Sequence, residues 1–226
     1  MWQGIDISAA QQSIDWRQIQ IDFCIIRAGF GRYLKQKDTM FESHYRGCEA
    51  KGIPAGAYWY SYAMNPEEAE QEAEVFLEVI KGKKFAYPVF YDVEEAKQFQ
   101  LGKEAVSAII RAFLQKVEAA GYWVGLYGNL SSLNTWTADD IKKRYTVWLA
   151  QWDVSKPTYK GSFAMWQKAI GSVPGVTGKV DLDESYKDFP TLIKAKGLNG
   201  FTPEPEKHKI RIELDGITYE GEVIKK

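Results

Sequence analysis

Residues 87–95 read YPVFYDVEE, and the fold turns on how that stretch is taken. Val89, Phe90 and Tyr91 follow Pro88 as a short apolar run rich in β-prone residues, which suits a buried strand. Asp92 and Glu94 then close it. Acids are poor strand residues, and burying an ionised carboxylate is unfavourable unless something pairs with it. At i and i+2 of a strand the two carboxyls share one face. A buried strand that finishes in a like-charged pair points to a sheet whose strand ends carry chemistry.

Working outward, strand signals alternate with helix signals. WQGIDIS (2–8), FCIIRAGF (23–30), IPAGAYWYSYA (53–63), KFAYPVFYDVE (84–94) and YWVGLYGN (122–129) read as strands. TVWLAQWD (146–153), FAMWQKA (163–169) and KVDLDES (179–185) continue the series. Helical spacing marks 40–51, which stops at Gly52. Asn65 as cap and Pro66 at the first helical position open a helix over 66–81. Val106, Ile109, Ile110, Phe113, Leu114 and Val117 recur at 3.6 spacing and define a helix over 103–120. Helices are also expected over 131–143 and 187–196. Eight strand-like runs with intervening helices predict an α/β fold, an irregular (β/α) TIM-like barrel, because the later helices are short or missing. A doubly wound open sheet is the alternative.

Domain organisation follows. The barrel is expected over 1–200. TPEPEKH breaks the pattern and reads as a linker over 201–208. Beyond it, 209–226 alternates with period two around Asp215-Gly216, a hairpin signal. A lone hairpin is marginal in water. It is expected to dock on the barrel, to belong to a larger module, or to pair edge to edge with another copy as a homo-oligomer.

The chain has 226 residues and a formal charge of −1, which argues against a mainly electrostatic nucleic-acid binder. No apolar run is long enough for a membrane span. Met1-Trp2-Gln3-Gly4 enters a strand with no basic or apolar leader, so the expectation is a protein made in the cytoplasm without a visible signal peptide. Cys24 and Cys48 read as buried free thiols, with a disulfide as the alternative. Two histidines and no C-x-x-C pair make a zinc site improbable, and no cofactor is expected.

In a parallel barrel the active site lies at the C-terminal strand ends. Asp6 ends the first strand, Asp92 and Glu94 end the fourth, and Asp181 and Asp183 sit in the last. One such acid is readily a cap or an ion-pair partner, but acids on three strands at one face are harder to explain that way. Their mutual repulsion raises at least one pKa, the condition acid/base chemistry needs. Tyr and Trp, 13 and 8 in number, are frequent. Core packing is one reading, and stacking on sugar rings is the other. Tyr58, Tyr60, Tyr127, Trp148 and Trp166, with Gln167 and Arg27, are the candidate substrate contacts. Arg27 has an equal reading as a structural counter-ion. An acidic cleft with aromatic walls suits glycoside hydrolysis. Neither His44 nor His208 lies at a strand end to serve a nucleophilic Ser or Cys. A Mg²⁺ or Ca²⁺ site on the acids, and a glycan-binding module without catalysis, are the competing readings.

The motifs GIDIS (4–8), IIRAGFG (25–31), GAYWYSYA (56–63), PVFYDVE (88–94), GLYGN (125–129), VWLAQW (147–152), MWQ (165–167) and VDLD (180–183) occur in that order. Together they make the chain resemble the glycoside hydrolase family 25 lysozymes over roughly residues 1–197. The resemblance implies an irregular (β/α) barrel and cleavage of the β-1,4 bond between N-acetylmuramic acid and N-acetylglucosamine in bacterial peptidoglycan. By motif, Glu94 matches the general acid, Asp92 its neighbouring carboxylate, and Asp6 and Asp181 the other two acids. Asp183 matches a position that varies between acid and amide and is carried as a substrate contact. For the second step the resemblance favours Asp92 orienting the substrate's acetamido group, with Asp6 or Asp181 as nucleophile or base the other route. The enzyme would act on glycan strands of the cell wall, reached by phage lysis or by export.

Overall fold

The structure is a computed structural model that describes residues 1–203 and 207–224. Eight strands close a barrel in the order β1 (Trp2–Ile7), β2 (Phe23–Phe30), β3 (Ala55–Tyr60), β4 (Val89–Asp92), β5 (Val124–Asn129), β6 (Thr146–Ala150), β7 (Met165–Gly171) and β8 (Val180–Ser185). Closure excludes the open doubly wound sheet. Helices α1 (Phe41–Lys51), α2 (Pro66–Ile80), α3 (Ala96–Phe99), α4 (Lys103–Ala119), α5 (Asp139–Arg144) and α6 (Phe189–Lys196) accompany them.

Local chemistry sets the helix bounds. Asn65 Oδ1 accepts from the Glu68 backbone N–H at 2.8 Å and caps α2. The apolar stripe of α4 is wholly buried. The helix expected over 131–143 is broken instead into a π-turn at Ser132–Trp136 and the short α5. Ser132 Oγ donates to the Asn129 carbonyl and its N–H to Asn129 Oδ1, so local side-chain bonds compete there with the regular ladder.

Strand alternation divides the apolar residues into two layers. Ile5, Ile7, Cys24, Ile26, Trp59, Tyr91 and Leu126 face outward against the helices, where the Tyr91 and Phe113 rings stack at 3.8 Å. Phe23, Ile25, Phe90, Trp148 and Met165 point inward and, with Tyr87 and Phe189, fill the lower barrel. Cys24 and Cys48 are buried and unbridged.

One strand departs from the expected parallel sheet. β8 runs antiparallel to both β7 and β1. The cause is the connection: residues 172–179 contain no helix, and a parallel return needs a crossover of a dozen or more residues. The reversal puts Asp181, at the start of β8, opposite Asp6, near the end of β1.

After α6 the chain is tied back to the barrel base. Asn199 is fully buried, its Nδ2 donating to the Phe85 and Tyr87 carbonyls and its Oδ1 accepting from the Trp123 N–H. The linker expected at 201–208 lies partly outside the described residues. Strands β9 (Lys207–Leu214) and β10 (Ile217–Ile224) then form a separate antiparallel hairpin. Its turn has positive φ at Asp215 (53°) and Gly216 (76°), the type I′ pattern that matches strand twist.

Candidate active site

The upper end of the barrel gathers Asp6, Asp92, Glu94, Asp181 and Asp183. Asp6 and Asp181 are direct cross-strand neighbours and so share a face. Asp6, Asp92 and Asp183 are buried, and Glu94 and Asp181 are partly exposed. Glu94 stands just past the end of β4, not within it.

Electrostatics follow from that crowding. Burial, then the charge of Asp181, pushes Asp6 up to about 7, against a hydrogen bond from Gln167 that pulls it down. Burial, then the charges of Glu94 and Asp6, raises Asp92 well above the usual carboxylate range, while Arg27 draws it back. Burial also raises Glu94 and Asp181. Within the pair, Asp92, the more buried member, is the one that its neighbour's charge raises after burial. Asp183 is fully buried, with Oδ1 accepting from Trp148 Nε1 at 2.8 Å and Oδ2 without a donor. Interaction between the Asp183 and Asp6 carboxyls raises Asp183, after burial, and its hydrogen-bonding part lowers Asp6.

Gln167 organises this end. Its Nε2 donates to Asp6 Oδ2 at 2.7 Å, and its Oε1 accepts from Tyr127 Oη at 2.9 Å and from Trp152 Nε1 at 3.1 Å. The Tyr127 phenol is raised by burial and then by Glu94, Asp92, Asp6 and Asp183, which places it amid the acids. Tyr58 is likewise raised by burial, then Asp6, and packs edge-on against Trp148 at 6.1 Å. Tyr60 Oη donates to Glu95 Oε1 at 2.9 Å. Arg27 Nε donates to Asp38 Oδ2 at 2.7 Å, so it is a structural counter-ion whose charge also bears on Asp92.

Trp166 is not brought into the cleft. It belongs to the outward layer, and its Nε1 donates to the Gln151 carbonyl at 2.7 Å. Strand alternation sends it out because Gln167 points in. Trp148 is fully buried beneath the acids and holds Asp183. Tyr62 and Trp152, 48% and 45% exposed, are open to solvent at this end. Asp38 and Trp152 were not among the sequence candidates. Asp38 looks like any loop acid, whereas Trp152 shares one side of its strand-like run with Trp148 by spacing but was not carried among the candidate contacts.

A closed barrel with carboxyls clustered at one end of its strands suits a glycoside hydrolase. Residues 5–176 match the model of the family described as Glycosyl hydrolases family 25, and the chain belongs to that family. The match holds Asp6, Asp92 and Glu94 and ends before Asp181. The chain is 29% identical over 187 residues to the autolytic lysozyme of Clostridium acetobutylicum, covering 80% of this chain and 55% of that protein. It is 29% identical over 196 residues to lysozyme M1 of Streptomyces globisporus, covering 79% and 66%. It thus spans about half to two-thirds of the length of these relatives. Among solved structures, the bacterial lysozyme from Streptomyces coelicolor superposes with a TM-score of 0.74 at 27% identity, covering 88% of this chain and 97% of that one.

Proposed function

We propose that this chain is a 1,4-β-N-acetylmuramidase that hydrolyses the MurNAc–GlcNAc bond of bacterial peptidoglycan, with residues 1–200 as the catalytic unit. The observation that carries the reading is the convergence of Asp6, Asp92, Glu94 and Asp181 at one barrel end in a chain of this family. Lysozyme relatives supply the substrate class.

Glu94 is the general acid. It is the more exposed member of the Asp92/Glu94 pair, and burial, then repulsion, keeps a proton on that pair toward neutral pH. That proton passes to the glycosidic oxygen as the C1–O bond breaks. The substrate's acetamido oxygen attacks C1, and Asp92 accepts the acetamido N–H and balances the positive ring that forms. Asp92 Oδ1 is buried and lacks a donor, which supports this acceptor role. Glu94, now ionised, takes a proton from water, which opens the ring and restores the acid. Asp6, Asp181 and Asp183 hold the negative field that favours an oxocarbenium-like transition state. Tyr58, Tyr60, Tyr127 and Gln167 shape the floor, with Tyr62 and Trp152 at the rim.

The test is digestion of Gram-positive walls followed by mass spectrometry. New reducing ends at N-acetylmuramic acid are expected, with and without a chelator. Reducing ends at N-acetylglucosamine, or binding without cleavage, would overturn the proposal. The enzyme works at the bacterial wall, and no described helix is long and apolar enough to cross a membrane. The hairpin exposes Ile212, Leu214, Ile217 and Tyr219 and is the proposed route to a homo-oligomer; a monomer by light scattering removes that role.

A further inference from the structure

Behind the acids lies a buried polar chain that the reaction does not itself use. Glu72, Ser61, Tyr91 and Gln98 come from four separate segments, and none is more than 1% exposed. Gln98 Nε2 donates to the Ala63 carbonyl at 2.8 Å and to Ser61 Oγ at 2.9 Å. A carbonyl only accepts, so the orientation of the Gln98 amide is fixed, and its Oε1 accepts from the Glu95 N–H at 3.2 Å. Ser61 Oγ also accepts from the Ala63 N–H at 3.2 Å. Its own hydrogen therefore goes to Tyr91 Oη, 2.7 Å away. Tyr91 in turn donates to Glu72 Oε2 at 2.7 Å, and Glu72 Oε1 accepts from the Tyr62 N–H at 2.8 Å. Every hydrogen in the series points the same way, toward Glu72.

The far end of the series reaches Glu94 from both sides. Ser61 N–H donates to the Asp92 carbonyl at 2.8 Å, two residues before Glu94. Gln98 holds the N–H of Glu95, and Tyr60 holds the Glu95 carboxylate at 2.9 Å, one residue after it. Resting on the muramidase reading for its catalytic consequence, we infer that Glu72 is a positioning residue for Glu94, fixing the 92–95 turn through Tyr91, Ser61 and Gln98. Glu72 is the sink that sets the direction of the series. Burial raises it, and the hydrogen bonds from Tyr91 and the Tyr62 N–H act in the opposite sense.

Gln is a poor replacement for Glu72. An amide at position 72 donates to Tyr91 Oη, so Tyr91 must turn its hydrogen to Ser61. Ser61 then faces three donors with no acceptor for its own hydrogen. A buried donor left unpaired destabilises its surroundings, and the turn loosens. Tyr91→Phe removes the middle link and keeps the ring stack on Phe113.

The experiment pairs steady-state kinetics on a soluble peptidoglycan oligosaccharide with amide hydrogen exchange at Glu95 and Tyr62, on Glu72→Gln and Tyr91→Phe. Misplacement of a catalytic group by about 1 Å can cost about 100-fold. The expected result is kcat lower by about 10- to 100-fold with KM within about twofold, and faster exchange confined to Tyr62 and Glu95. Unchanged Glu95 exchange in both variants overturns the inference. So does exchange that accelerates across the whole barrel while kcat and KM worsen together, which is a plain structural role. If the parent protein shows no turnover, the muramidase reading falls, and the exchange data still decide whether Glu72 orders the turn.

Discussion

The two ends of the barrel handle burial in opposite ways. The lower end is closed by rings, with Phe23 stacked on Tyr87 at 4.4 Å and Phe90 against Trp148 at 5.1 Å. The upper end buries carboxyls, two of which keep an oxygen without a donor. Apolar packing below stabilises the fold, and the acid cluster above opposes it. Separation along one axis lets the site hold groups that would otherwise disrupt the core, a common arrangement where activity and stability conflict.

The contrast can be broken at either end. The largest effect is expected from Glu94→Gln, which should lower wall digestion by about 10²- to 10⁴-fold, with an unchanged circular dichroism spectrum; turnover near that of the parent would remove Glu94 from its role. Next comes Phe90→Ala at the lower end, expected to lower unfolding free energy by about 3–5 kcal/mol in urea titrations. A loss as small as that of a surface change would mean that the lower end is not the stabilising one.

Asp92→Asn tests the opposite sign. The folded state holds the Asp6 proton, and the proton shared by Asp92 and Glu94, more tightly than the unfolded chain, so stability falls as pH rises from about 4, the unfolded value, toward the raised folded values, about 7 for Asp6. At pH 7 the Asn variant should therefore be more stable than the parent by about 1–3 kcal/mol, and the gain should vanish below about pH 4, while activity is lost. Thermal unfolding across that window provides the check. The same protons predict that activity declines above neutral pH as the Asp92/Glu94 pair loses its last one. The smallest effect is assigned to the hairpin. Tyr219 is 52% exposed, and Tyr219→Ser should shift barrel stability by less than about 0.5 kcal/mol.

Much of this could be read from residue order. The Asn65-Pro66 cap and the α4 stripe identify their helices, and the strand-end acids point to the upper face. What escaped depends on long-range geometry. The direction of β8 is set by the connection that precedes it, and nothing within KVDLDES encodes it. Trp166 and Gln167 are adjacent, and only the phase of the pleat says which enters the barrel. Glu72 lies in the acidic run EEAEQEAE and looks like any solvated helix acid, because its partners Tyr62 and Tyr91 come from other elements.

The reversed β8 has a consequence for biosynthesis. Because the segment bearing Asp181 and Asp183 is the last staved into the cylinder, β1 and β7 keep unpaired edges until the ribosome has passed that point. A nascent chain can present Asp92 and Glu94 long before it can complete their surroundings. The acid cluster is therefore completed in one step, when β8 closes the cylinder.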